Sequence, residues 1–141
     1  MASHMSRSAL DPSTLVPRTD SGYPEPFRSR RLVRHSPQIT DVRLNDAEMA
    51  EVGCEIARRL RCTTDPAVFL IPTRGYDSYA TSGEPFFDPA ADERFVQELK
   101  ANLPGNIKVE ERPTHINAPE FAQEAANTLL ELMAVHSEAK V

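Results

Sequence analysis

Apolar and polar positions along this chain follow two rhythms, and their order reads strand, helix, strand, helix, strand, helix. Val68-Phe69-Leu70-Ile71 is an unbroken apolar run with no polar alternation, the pattern of a strand buried on both faces in a sheet covered by helices. Ile39 to Leu44 alternates instead, which predicts an edge strand with one wet face. The shorter run Leu32-Val33 precedes it, and His35-Ser36-Pro37 between them reads as a turn, because proline pushes the residue before it out of the helical region. Ile107 to Arg112 is the last strand, Ile107 and Val109 alternating with charges.

Three helices separate and follow these strands. Asn45 is a good N-cap with Glu48 three residues on, and Met49, Val52, Gly53, Ile56 and Leu60 then form one apolar stripe as far as the stop at Thr63-Thr64-Asp65-Pro66. Asp88-Pro89 starts a second helix, which carries Phe95, Val96, Leu99 and Leu103 inward and ends at Pro104-Gly105-Asn106. Asn117 with Glu120 reads as a capping box for the third, whose face of Phe121, Ala125, Leu129, Leu132 and Met133, broadened by Ala122, Ala126 and Leu130, is expected to pack on the sheet and to meet a partner. The predicted fold class is α/β, a small three-layer sandwich with a short, mostly parallel sheet and helices packed on it. It occupies residues 27–141 as one domain. Residues 1–26 are read as an expression scar, Met1 to Met5, followed by a leader of Ser, Pro, Asp and Thr too poor in apolar periodicity to order itself.

Charge and cysteines narrow the classes. The net charge is −5, yet the first 35 residues carry six arginines against three acids, so the body is acidic. That argues against a nucleic-acid groove, which needs clustered lysine and arginine; Arg28, Arg30, Arg31 and Arg34 are the exception, read as solvated or protein-facing. No run approaches the eighteen or so apolar residues of a membrane span, and a soluble, cytoplasmic protein is expected. Cys54 and Cys62, eight residues apart on or just past one helix, are out of disulfide reach.

In such folds ligands sit beyond the carboxyl ends of the strands, here the long Pro72 to Asp88 loop and the Thr114 to Asn117 turn. The candidates on that edge are Arg74, Gly75, Asp77, Gly83, Asp88, His115 and Asn117, with Tyr76 and Tyr79 beside them. Arg74 with Gly75 suits an anion, because glycine admits close backbone approach and guanidinium forks onto carboxylate or phosphate. His115 is the candidate for proton transfer. Asp88 and Asn117 have plainer uses as helix caps. No second histidine at ligand spacing, no paired-cysteine site and no phosphate-cradling glycine loop is present, so no metal is expected and the residues name no reaction.

Phe69-Leu-Ile-Pro72 with Arg74-Gly75, Gly83-Glu-Pro-Phe-Phe-Asp-Pro-Ala-Ala-Asp92, and His115-Ile-Asn117 with Pro119 and Phe121 resemble the family of tomato mosaic virus resistance-like ATP-binding proteins, from about Phe27 to Met133. Members of that family have two α/β lobes, and the resemblance is to the last portion of the second. It implies a C-terminal module whose partner is a missing N-terminal lobe or a second copy. It also implies ATP in the full-length architecture, on the first lobe, with no cofactor in this piece. Relatives place serine two residues after the glycine and aspartate three further on, where this chain has Asp77 and Ala80; Asp77 is the candidate substitute for that acid. The alternative function is a domain that binds an anionic or nucleotide-like small molecule, or acts on it, at the strand ends.

Overall fold

A computed structural model describes residues 12–17, 22–25 and 27–138. In chain order these form β1 (Ser13–Pro17), β2 (Leu32–Arg34), β3 (Ile39–Arg43), α1 (Asp46–Leu60), β4 (Ala67–Pro72), α2 (Pro89–Asn102), β5 (Ile107–Arg112) and α3 (Pro119–Glu138). The fold is mixed α/β, as the sequence predicts, with its strands divided between two sheets. β4 and β5 pair in parallel, with Ala67 opposite Ile107 and Pro72 opposite Arg112. The other three strands form an antiparallel sheet in the order β1-β3-β2.

Two expectations change there. β3 is the central strand of its sheet, and Thr40, Asp41, Val42 and Arg43 are all buried. Its alternation does not mark a wet face: Thr40 is met by Tyr23 on one side, and Arg43 by Met49 and Asp92 on the other. β1 comes from the leader, expected to lack regular structure. Pairing Thr14 with Val42 and burying Val16 supplies the ladder bonds and apolar contact that the segment cannot generate alone. Met1 to Asp11, including the scar reading, lies outside the described residues.

α1 and α2 form the dense part of the molecule. Met49 and Ala57 of α1 meet Ala91, Phe95 and Leu99 of α2, with Ile71 and Tyr76 beneath and Phe69 and Val109 packed against the cluster. The helices touch at Gly53, where a Cβ would stand 2.6 Å from the Phe95 carbonyl oxygen and 3.0 Å from the Leu99 nitrogen. Both N-termini are capped as the sequence predicts. The Asn45 side chain accepts from the Glu48 amide and Glu48 reaches back to the Asn45 amide, while the Asp88 carboxylate accepts from the Ala91 amide.

Arg43 joins the two sheets' neighbourhoods. Its guanidinium, 3 % exposed, donates to the Pro12 and Asp88 carbonyls and to the Asp92 carboxylate at 2.5 Å, while its Nε is buried without a hydrogen-bond partner. Arg30 adds a second tie, donating to both Glu48 carboxylate oxygens and to the Arg43 carbonyl. Arg31 reaches the Phe87 carbonyl and Asp88, and Arg28 pairs with Glu25. The arginine cluster of the sequence is thus turned onto the protein.

α3 lies on the opposite face of the parallel pair, over β4. Val68, Lys108, Glu110 and Arg112 line the space beneath it, with Glu124 of α3 bonded to Arg112 at 2.6 Å. Its apolar stripe is not buried there. Leu129 is 58 % exposed, Leu130 63 % and Val135 61 %, and Ala122 and Ala126 are exposed as well. Only Phe121, Ala125 and Leu132 of the predicted face are half-buried. Asn117 is also not the cap: the Ala118 carbonyl accepts the first helical bonds, from Phe121 and Ala122, and α3 starts at Pro119. Among the described residues no helix is long and apolar enough to cross a membrane, and Cys54 and Cys62 are free thiols.

Candidate functional site

The loops that leave β4 and β5 stay zipped together beyond the sheet. The Thr73 amide donates to the Arg112 carbonyl, the Arg74 amide to that of Thr114, and the Ile116 amide to that of Gly75. Glycine is needed at 75 on two counts. Its φ is +135°, and a Cβ would lie 3.0 Å from both the His115 ring and the Thr81 methyl.

His115 clasps the loops from within. Its Nδ1 accepts from the Asn117 amide at 3.1 Å, which leaves the ring proton on Nε2, and Nε2 donates to the Asp77 carbonyl at 3.0 Å. Asn117 extends the clasp through its side-chain amide to the Ser78 hydroxyl, 3.3 Å away. The Asp77 carboxylate turns back onto the Tyr79 amide. Both ring nitrogens of the proposed proton carrier are therefore already bonded.

Aromatic packing holds the rest of the long loop. Tyr76 is buried edge-on against Phe95, centroids 5.7 Å apart, and Phe86 is fully buried against Tyr79 at 5.9 Å. Burial, with the Asp92 and Glu111 charges, pushes the Tyr76 hydroxyl far above its ordinary range, so Tyr76 stays a neutral wall.

A cavity of about 360 Å³ opens beside this loop, between the carboxyl end of β4 and one side of α2 from Pro89 to Lys100. Arg74 and Gly75 line it; Asp77, Gly83, Asp88, His115 and Asn117 do not. Gly83 sits in a turn with nothing within 4 Å of where a Cβ would be, and Asp88 caps α2. Sequence reasoning missed Asp92, Glu93, Val96 and Lys100, which fall on one face of α2, and Glu111 of β5. That spacing on the helix was the available signal. Burial raises the Asp92 carboxyl above its usual range against the pull of Arg43, with Asp88 and Asp77 adding to the rise. Lys100 is bonded to Glu111, whereas the Arg74 side chain has no hydrogen-bond or ion-pair partner among the described residues.

Two basic side chains, Arg74 and Lys100, share the lining with three carboxylates, Asp92, Glu93 and Glu111. Ala80 lies buried on the cavity wall. Among the described residues no group of His, Cys, Asp and Glu could hold a metal ion.

Comparison with known proteins gives these features a family. A UPF0261 protein of Rhizobium meliloti is 38% identical over 104 residues, covering 72% of this chain and 26% of its own length. One from Mesorhizobium japonicum is 34% identical over 108 residues, covering 75% and 27%. The tomato ToMV resistance protein Tm-1 is 28% identical over 130 residues, covering 91% of this chain and 17% of its own length. The chain thus spans about a quarter or less of the curated relatives it matches. Residues 5–133 match the C-terminal domain of the uncharacterised protein family UPF0261, and the chain belongs to that family.

Proposed function

We propose that this domain is the C-terminal α/β module of a longer polypeptide and that it works by packing against the remainder of that polypeptide through α3. The observation that carries the reading is the direction of the α3 stripe. Leu129, Leu130 and Met133 are exposed, while the space toward the sheet is lined by Glu124, Asn127, Thr128 and Glu131 together with Leu132 and Val135. A helix that turns its apolar side to water is stable only where that side is covered. Relatives roughly three to five times as long as this chain have the length to provide a cover on the same polypeptide. The cavity at Arg74 gives less support to the alternative, an anionic or nucleotide-like ligand, because its carboxylates outnumber its bases.

The test is co-expression of this chain with the remaining segment of the longer protein as a separate polypeptide. The two should co-purify, and Leu129→Glu with Leu130→Glu should abolish the pairing while leaving the domain's far-ultraviolet circular dichroism unchanged. Pairing that survives the double substitution refutes the reading. So does an isolated chain that sediments as a tight dimer through the same leucines, since the cover would then be a second copy.

A further inference from the structure

We infer that the free edge of β4 receives a further strand, supplied by the remainder of the polypeptide; this rests on the reading that the domain is part of a longer chain. β4 hydrogen-bonds only to β5 among the described residues, and a parallel sheet of two strands is half-built. The two strands differ in what their sequences tolerate. β5, IKVEER, carries Lys108, Glu110, Glu111 and Arg112, the charges with which natural edge strands resist further pairing. β4, AVFLIP, has no charge in six residues. β5 therefore reads as the true edge, and β4 as an interior strand exposed on one side.

Backbone direction identifies the groups involved. The Thr73 amide points at β5, donating to the Arg112 carbonyl. Because successive residues of a strand turn their amides to opposite sides, Phe69 and Ile71 also face β5, and Val68 and Leu70 face the free edge. Pro72 stands next on that side and has no amide to offer, so the pairing ends there. The facing segment thus meets the Val68 and Leu70 amides and the carbonyls beside them.

The helices mark the same side. Phe69, Ile71 and Val109 point to α2, whereas Val68, Lys108 and Arg112 point to α3, so the two helices lie on opposite faces of the pair. Right-handed crossovers carry the chain one way across a sheet with the helix on one face and back with it on the other. Since α2 leads from β4 to β5, a helix on the opposite face belongs to a sheet that continues beyond β4. α3 lies over β4, as that direction requires. The incoming strand would border the carboxyl end of β4, so the loop holding Arg74 and Gly75 would lie between two strands in place of at a rim.

Residue-resolved amide hydrogen exchange on the full-length polypeptide tests this. Phe69 and Ile71 should be protected by β5, and Val68 and Leu70 should be slowed to within about tenfold of them. Exchange at Val68 and Leu70 as fast as in exposed loops, with Phe69 and Ile71 protected, overturns the inference. Protection of Val68 and Leu70 that disappears on dilution also overturns it, because the strand would then come from a second copy. Leu130→Cys in the same full-length protein reports on α3 separately. If that thiol is labelled at the rate of an exposed residue while Val68 and Leu70 are protected, the packing of α3 fails and the added strand stands.

Discussion

Gly53→Ala sets two effects of opposite sign against each other at one position. Gly53 lies inside α1, so helix propensity alone makes alanine the better residue by about 1 kcal/mol. Packing says the reverse. The new methyl would stand 2.6 Å from the Phe95 carbonyl oxygen, 3.0 Å from the Leu99 amide nitrogen and 3.3 Å from the Glu98 Cβ, and the first two are backbone atoms of α2 that cannot rotate away. Restoring ordinary contact asks the two helices to part by roughly half an ångström or more, which loosens Met49 and Ala57 against Phe95 and Leu99. Overpacking of this kind costs about 1–3 kcal/mol, so the net expectation is a loss of up to about 2 kcal/mol. Urea denaturation followed by circular dichroism measures it, with the midpoint falling at unchanged slope. A variant more stable than the parent would show that α1 and α2 do not meet at Gly53, and the core described above would be wrong.

Two further outcomes follow from the ion pairs. Arg43→Ala strands the largely buried Asp92 carboxylate without its 2.5 Å partner and should cost about 3–5 kcal/mol, while Arg43→Ala with Asp92→Ala should cost less than the sum of the single substitutions; additivity in that double-mutant cycle would show the pair to be uncoupled. The hydrogen bonds from Arg30 hold the Glu48 carboxyl below its ordinary 4.5, with the Asn45 amide adding to the effect and burial opposing it. A carboxyl lowered in the folded state adds stability above its unfolded value and loses it as pH falls through the folded one. Stability should therefore decline as pH drops below 4.5, and less steeply in Arg30→Ala; equal slopes for the two proteins would rule out the Arg30 contact as its source.

What was legible in the sequence was local. Asn45 with Glu48 and Asp88 with Pro89 announce helix starts because the groups that satisfy the first amides lie within three residues. The run at Val68 to Ile71 announces a strand for an equally local reason, though among the described residues β4 has one neighbour and of that run only Ile71 is fully buried. β1 was not legible, since Ser13–Pro17 becomes a strand only by meeting β3, some two dozen residues later in the chain. The edge reading of β3 failed with it, since β1 takes the second edge, and the polar side chains stay dry because other residues pack over both faces. Arg43 is the clearest instance, a charge that looks solvent-facing in sequence and is closed over by Pro12, Met49 and Asp92. At the site, Arg74 and Gly75 were found because they follow the strand directly. Asp92 and Lys100 reach the same cavity only through the phase of α2, which the capping signal fixes in position but not in rotation.

The mismatch at α3 has a different origin. Its apolar stripe was read correctly as residues and wrongly as contacts, because the described residues contain no second surface for Leu129 and Leu130 to meet. The same holds for β4, whose sequence is that of an interior strand and whose neighbour is present on one side only. Both unfinished surfaces belong to the half of the molecule away from α1 and α2. The finished half holds the helix contact at Gly53 and the Arg43 ties, and it grips the long loop through Tyr76 against Phe95. The clasp of His115 with Asp77 and Asn117 then carries that order across to the β5 loop without help from either open surface. The loops are thus set in place by contacts internal to the domain, and a strand or helix that completes the other half would add a wall to the Arg74 cavity while leaving its existing walls where they are.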